Sequence, residues 1–465
     1  MPVIYPIFFF LLVGCQQFSQ KTDFVRTDMT QNPGWASVFQ TYTSDSETTL
    51  NVLRPRLADV SYIIEEDRGD IANFVYNPKK QIKVQSTTTG SHIHWKVDRL
   101  HIRNLKPGIP YRLVVVNKRW KMVVDWRRFK TLDIKKSSSR FVVGSCMSDS
   151  HAFEHIRSRI WDRIPALNPD FIMLLGDQVY VDDFDFVERQ KASEFDIWTR
   201  YIDSFRKIPL FQKTDLIPIL AVWDDHDYGT NNSDRYFLGR LAAEKVFNAF
   251  FGGEPIAGVI DHQKSGVHFS FTGFGQRHIL MDNRYFREPD PNNPYGHWGE
   301  KQHKWFQEQL RGAKTPVFLA NGGQFFTKAT LVQEKKGKAK QINESFIDDH
   351  PKHFRGLIQD IKASPQPVVF LSGDIHYSEI ANIEKNFLGY ETYEITSSPL
   401  HSFIYRAPDG QESWLDNPRR IVSIKEHNFL LVNSRPQENS IDLDVKSYGV
   451  KQDKPYFEKT LRVKR

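Results

Sequence analysis

One stretch constrains the fold more than any other: Phe171-Ile-Met-Leu-Leu-Gly-Asp-Gln-Val-Tyr-Val-Asp-Asp183. An apolar run of strand length stops at Gly176, and acidic and phenolic side chains follow at once. Strands of a parallel sheet are buried on both faces and read as continuous apolar runs. Open α/β sheets place their ligands at the carboxyl edge of such strands. Three more segments repeat the design: Phe141-Val-Val-Gly-Ser-Cys146, Ile219-Leu-Ala-Val-Trp-Asp-Asp-His226 and Val368-Val-Phe-Leu-Ser-Gly-Asp-Ile-His376. If the four strands share one sheet, their terminal Cys, Asp and His residues meet at one edge.

The rest of the chain supplies what such a sheet needs. Helical patterns are expected at 151–166, 187–206, 236–251, 299–311 and 353–362, alternating with strands, which implies a sheet covered by helices. On the first helix, Phe153, Ile156, Ile160 and Trp161 fall on one face. The stretch 267–284 reads as two strands joined near Gly275, and Pro316-Val-Phe-Leu-Ala-Asn321 as another strand. From about Tyr390 to Val463 strand-like runs return, which suggests a second sheet packed on the first. Lys335-Lys-Gly-Lys-Ala-Lys340 reads as a solvated hairpin tip.

Ahead of this lies an all-β region, 36–135, with short β-branched or alternating runs at 48–53, 81–85, 92–96 and 111–116. Leu105-Lys-Pro-Gly-Ile-Pro-Tyr111 resembles a fibronectin type III corner, in which a Tyr hydroxyl ties a turn. This region carries no ligand cluster and is expected to pack on the catalytic domain, 136–465, with the polar Lys135-Lys-Ser-Ser-Ser-Arg140 between them. Residues 1–15 read as an export signal: 4–13 are apolar, too short to span a bilayer, and Leu12-Val-Gly-Cys15 resembles a bacterial lipobox. Residues 16–35 are then a polar tether. Lipid on Cys15 would attach the protein to a membrane of the cell envelope; plain secretion and a buried hydrophobic N-terminus are the alternatives. Cys146 would be left as the only other thiol of the chain. The net charge of +7 is spread along 465 residues and accompanies no nucleic-acid-binding motif.

The strand ends carry a mixed soft and hard ligand set: Cys146, Asp177, Tyr180, Asp225, His226, Asp374 and His376. Thiolate and imidazole suit transition metals, and carboxylates suit hard cations. A carboxylate between two metals can bridge them, and two-metal sites catalyse in-line displacement at phosphorus. Neither a Gly-x-Ser-x-Gly elbow nor a Walker loop competes with this reading. Any one of these residues has a plainer use as a turn cap, a core thiol or a hydrogen-bonded imidazole. Their recurrence at four strand ends favours a site.

Gly144-Ser-Cys146, Gly176-Asp-Gln-Val-Tyr180, Trp223-Asp-Asp-His226 with Asp227-Tyr-Gly229, Asp282-Asn-Arg-Tyr-Phe-Arg287 and Ser372-Gly-Asp-Ile-His376 together resemble the PhoD-like alkaline phosphatases, within the calcineurin-like metallophosphoesterases. The resemblance runs from about residue 40 to at least 380. It implies a four-layer αββα catalytic domain after an immunoglobulin-like or fibronectin type III-like sandwich. It implies ferric iron (Fe3+) on Cys146, Asp177, Tyr180 and His376, and calcium (Ca2+) reached by Asp177 and Asp374, with Asp225 in a second-metal role. His226 would assist the leaving group. Arg284 and Asn321 are phosphate-binding candidates from their strand-end positions, and Asn231 and Asn232 candidates for metal or phosphate contact. Asp182 and Asp183 are either solvent-facing or hold additional calcium.

The expectation is therefore an exported, monomeric phosphoesterase that acts on small mono- or diesters through a metal-activated hydroxide. The alternatives are a phospholipase D-like phosphodiesterase on lipid headgroups and a surface-anchored binding protein on an inactive enzyme scaffold.

Overall fold

Phe171–Leu175 is a strand buried along its whole length, hydrogen-bonded in parallel to Ser139–Gly144 on one side and Ile219–Val222 on the other. In this computed structural model the described residues are 34–67, 69, 82, 84–183, 192–326, 330–335, 338–343, 345–406 and 417–465. The export signal, nearly all of the tether and residues 184–191 lie outside them. Among the described residues no helix is long and apolar enough to cross a membrane.

The fourth motif strand, Val368–Ser372, is not in that sheet. It lies in an eight-stranded sheet, parallel to Val317–Ala320 and Thr392–Thr396. The expected single sheet is thus two. The six-stranded sheet carries three motifs and the eight-stranded sheet the fourth, and the two pack face to face through apolar side chains. Phe141 of the first meets Phe318 and His278 of the second edge-on, each at 5.4 Å between ring centroids. Strands buried on both faces read alike whichever sheet they join, so periodicity could not assign them.

The late strands also differ from expectation. Asn428–Pro436, Ser440–Gly449 and Phe457–Lys464 extend the first sheet antiparallel from Ser139–Gly144. Ser378–Ile383, Thr392–Thr396 and Arg420–Ile424 belong to the second. The polar 135–140 stretch is shorter as a connection than expected, because Ser139 and Arg140 already pair in the sheet.

Helices form at Glu154–Ala166, Glu194–Lys207, Arg240–Phe251, Gly299–Arg311 and Pro351–Ala363. The second starts where Ser193 and Asp196 form a reciprocal capping box, which satisfies its first N–H groups. Ile160 and Trp161 of the first helix are buried as expected, but with Arg157 and Ile164 rather than Phe153 and Ile156. Thr330–Lys335 pairs antiparallel with Lys338–Asn343, so Lys335, Lys338 and Lys340 of the lysine-rich run lie on paired strands, and residues 336 and 337 lie outside the described residues.

The N-terminal region forms two sheets, one of four strands and one of three. Val38, Leu50, Val52 and Leu100 share their core with Ile64, Tyr111, Leu113 and Phe129. Alternation along Ser37–Thr43 then turns Phe39 the other way, into the large core beneath. There it stacks on Phe211 at 4.1 Å and meets Phe250 at 5.4 Å. The sandwich is joined to the catalytic body by an aromatic interface. The Tyr111 hydroxyl accepts from the Lys106 N–H at 2.7 Å, as the corner motif predicts. His92–His94, read as part of a strand, instead turn the chain between Val84–Ser91 and Trp95–Ile102. A run of alternating β-formers cannot report where a hairpin turns when no Gly-Asn signal marks the place.

Candidate metal centre

After three of the four motif strands the chain leaves the sheet at an angle few side chains tolerate. Cys146, Asp177, Asp374 and His376 have φ of +58°, +55°, +70° and +57°. Non-glycine residues in this left-handed region cost about 1–3 kcal/mol each and cluster at functional sites. That four of the expected ligands share this conformation is a finding no propensity predicts.

The strained turns are fastened to one another, within the first sheet and across to the second. Cys146 N–H donates to Gly176 O at 3.2 Å, and Met147 N–H to Asp177 O at 2.7 Å. The Asp374 N–H donates to Ser145 Oγ at 3.2 Å, tying the fourth motif to the first. Gly373 allows this approach: a Cβ there would lie 2.5 Å from Leu175 O and 2.7 Å from Ser145. Gly176 does the same beside Asp224, where an added Cβ would come within 2.4 Å of the Asp224 Cβ.

Ligand atoms of Cys146, Asp177 and His376 lie within 4.8 Å of one another. So do those of Asp177, Asp225 and His226, and those of Asp224, Asp225 and Asp374. The three groups overlap at Asp177 and Asp225, so neighbouring groups that could each hold a cation share carboxylates. The chemistry fits cations. Oδ1 of Asp177, Oδ2 of Asp224 and Oδ1 of Asp225 are buried and have no hydrogen-bond partner among the described residues, and buried acceptors normally do. Burial pushes the Asp177 carboxyl, the Cys146 thiol and the Tyr180 phenol well above their usual values, and their neighbours' negative charge adds to this. A bound cation would reverse that penalty by favouring the anions. Burial also lowers the His376 pKa to about 3, which keeps the imidazole neutral, the form that binds metal.

Supporting contacts orient these groups. His376 Nδ1 lies 2.9 Å from Phe403 O, so it carries the proton and leaves Nε2 for the site. The Ser398 hydroxyl lies 3.2 Å from Cys146 Sγ, and the Tyr180 hydroxyl 3.0 Å from Ser402 Oγ. Ser398 and Ser402 lie beyond the last motif, and nothing in their local sequence marks them.

Both acids in Trp223-Asp-Asp-His226 belong to ligand groups, Asp225 to two and Asp224 to one. Burial opposes the ionisation of Asp225, but Arg284 and His226 hold its carboxyl down at about 2. The Asn232 backbone N–H donates to its Oδ2 at 2.6 Å. Asp224, which the sequence did not single out, pairs with Arg284 and accepts from Asn283 Nδ2 at 2.8 Å. Arg284 Nη2 reaches Asp225 at 3.6 Å, and its Nη1 has no partner among the described residues.

Burial disfavours a charged His226, but Asp225, Asp177 and Asp182 outweigh it and raise its pKa well above the usual imidazole value. Asp182 is therefore not merely solvent-facing, for it holds His226 Nδ1 at 2.8 Å, while Asp183 lies 3.4 Å from Arg200. Asn231 and Asn232 are exposed, and Asn232 lines a pocket beside the site with Arg284 and Asp374. Asn321 is placed as a turn cap rather than as a phosphate contact. Its Oδ1 accepts from Trp298 at 3.3 Å and its Nδ2 donates to Gly323 O at 3.0 Å, so both ends of the amide serve the fold.

None of the curated proteins compared with this chain matches it. A solved structure titled "Structure of PhoD" matches with a TM-score of 0.65 and 16% identity, covering 91% of this chain and 88% of that one, which shows a shared fold. A Paenibacillus sp. cycloisomaltooligosaccharide glucanotransferase complexed with cycloisomaltoheptaose matches at a TM-score of 0.16 and 8% identity, over 73% of this chain and 45% of that one. That likeness is too slight to support any argument. The model of the PhoD-like phosphatase family matches residues 141–453, from the strand before Cys146 to beyond the last ligand-bearing turn. With the motif strands, the overlapping ligand groups and this match in agreement, the chain belongs to the PhoD-like phosphatase family and is a hydrolase of phosphoric esters.

Proposed function

We propose that the protein is an exported, monomeric, metal-dependent enzyme that hydrolyses small phosphate mono- or diesters on a four-layer αββα metallophosphoesterase domain. The observation that carries this is the sharing of Asp177 and Asp225 between adjoining ligand groups. In this reading Cys146, Asp177, Tyr180 and His376 hold ferric iron, and Asp177, Asp225 and Asp374 hold calcium. Bound cations would supply the positive charge that acidifies water and neutralises an ester phosphate.

The chain's own groups do the rest. The unpartnered Nη1 of Arg284 donates to a phosphoryl oxygen, with its guanidinium fixed by Asp224. His226 keeps Nδ1 on Asp182 and presents Nε2 to the departing alkoxide, which takes its proton. The strained turns at Cys146, Asp177, Asp374 and His376 hold their side chains before substrate arrives.

The test is metal analysis of protein purified without chelator, followed by a panel of monoesters and diesters, lipid diesters included. Iron and calcium in the protein, with turnover lost in a calcium-selective chelator and regained on adding calcium, are expected. Full activity in protein verified free of both metals would overturn the assignment.

A further inference from the structure

Three loops of the N-terminal sandwich lie side by side at one of its ends. Residues 56–59 join Thr48–Pro55 to Val60–Glu66, residues 92–94 join Val84–Ser91 to Trp95–Ile102, and residues 118–121 join Pro110–Asn117 to Met122–Lys130. The Arg56 N–H donates to His94 O at 2.8 Å and the Lys118 N–H to Asp59 O at 2.9 Å, so the first loop touches both others. Loop tips normally carry Gly, Asn, Asp or Ser. Each of these carries a large apolar residue in solvent: Leu57 is 94% exposed, Ile93 56% and Trp120 64%. Exposed apolar side chains are ordinary when scattered singly, but three on contacting loops are not scatter.

Their surroundings are basic. Arg56, Lys118, Arg119 and Lys121 flank the tips in sequence, against one acid in the three loops, Asp59, which pairs with Lys118 at 3.0 Å. The described chain also begins at this end. Ser37 pairs with Leu53, close to where Thr48–Pro55 ends. The Ala36 N–H donates to the Asp125 carboxylate at 2.8 Å, near the start of Met122–Lys130. Residues 1–33, with Cys15, therefore join the fold beside these loops.

Leu57, Ile93 and Trp120 sit on separate loop tips, so a rigid protein partner would need a pocket for each. A fluid bilayer surface accepts separate protrusions. Leu and Ile enter its acyl boundary, and Trp rests at the headgroup level. Lys and Arg beside them attract anionic headgroups while their stems lie along apolar surface. We infer that this end of the sandwich docks on an anionic lipid bilayer, with the three apolar tips inserted and the four basic side chains at the headgroups. The docking does not depend on the phosphoesterase reading and does not require lipid on Cys15, although an anchor there would hold this same end to the membrane.

The test uses the full chain carrying Cys15→Ser, so that no acyl chain contributes. Sedimentation compares its binding to vesicles of phosphatidylcholine with binding to vesicles in which phosphatidylglycerol replaces part of that lipid. The expected affinity is about tenfold higher for the anionic vesicles, and adding Arg119→Glu with Lys121→Glu should remove that preference at an unchanged melting temperature. Brominated acyl chains should quench the tryptophan fluorescence of the bound parent, and Trp120→Phe should lose most of the quenched component. The apolar segment 4–13 is present in every variant and cannot produce these differences. Equal affinity for the two kinds of vesicle overturns the inference. So does a preference unchanged in the folded Arg119→Glu, Lys121→Glu variant, or equal quenching in the bound parent and Trp120→Phe. Binding to heparin without binding to vesicles would assign the basic loops to a soluble polyanion and overturns it as well.

Discussion

Asp182 and His226, 44 residues apart, are joined at 2.8 Å through the imidazole Nδ1. The carboxylate fixes the tautomer and ring orientation, which leaves Nε2 as the only nitrogen aimed at chemistry. The pairing explains why a loop already rich in ligands carries another acid that need not bind metal. Asp182→Asn should keep the metals and the fold while lowering kcat by about 10–100-fold, the usual effect of removing such an orienting partner. Metal content and kcat measured on the same preparation check this, and an unchanged kcat would remove the orienting role.

His226 itself should show its role through the leaving group. A proton donor matters most when the departing alkoxide is a strong base. His226→Ala should lose turnover on alkyl phosphates by about 10²–10⁴-fold, and much less on nitrophenyl phosphate. Equal losses on both would assign His226 to positioning or metal binding instead.

Tyr180 offers the test of the proposed ferric iron. Its phenol is buried, and burial together with the nearby Cys146 and Asp177 charges opposes ionisation. Only a strongly polarising cation would make it a phenolate at neutral pH. Phenolate on ferric iron absorbs visible light, so the holoprotein should be coloured. Tyr180→Phe keeps the ring against His226, whose centroid is 4.6 Å away, and removes the oxygen. The variant should fold, lose the visible band and lose most activity. A colourless, fully active, iron-free wild-type protein would overturn the ferric site.

Export rests on Leu12-Val-Gly-Cys15, which lies outside the described residues. If the lipobox is used, the mature chain begins at Cys15 and partitions with membranes. Cys15→Ser should then abolish incorporation of labelled fatty acid. An intact Met1 on the mature, exported protein, read by mass spectrometry, counts against it.

The sequence alone determined what depends on neighbours in the chain. Five apolar residues before Gly176 specified a buried strand, and the acids after it a functional edge. Leu105-Lys-Pro-Gly-Ile-Pro-Tyr111 specified the corner that Tyr111 closes on Lys106. The ordered motifs specified the family. Only the tertiary structure decided which sheet received Val368–Ser372, because a strand buried on both faces carries no mark of its partners. It also decided how the adjacent acids Asp224 and Asp225 divide their contacts: Asp224 Oδ1 is anchored on Arg284 and Asn283, about 60 residues away, and belongs to one ligand group, whereas Asp225 belongs to two. It also brought Ser398 to Cys146. Local sequence fixes backbone preference over a few residues, whereas these contacts arise where two sheets meet, between segments the chain brings together only by folding.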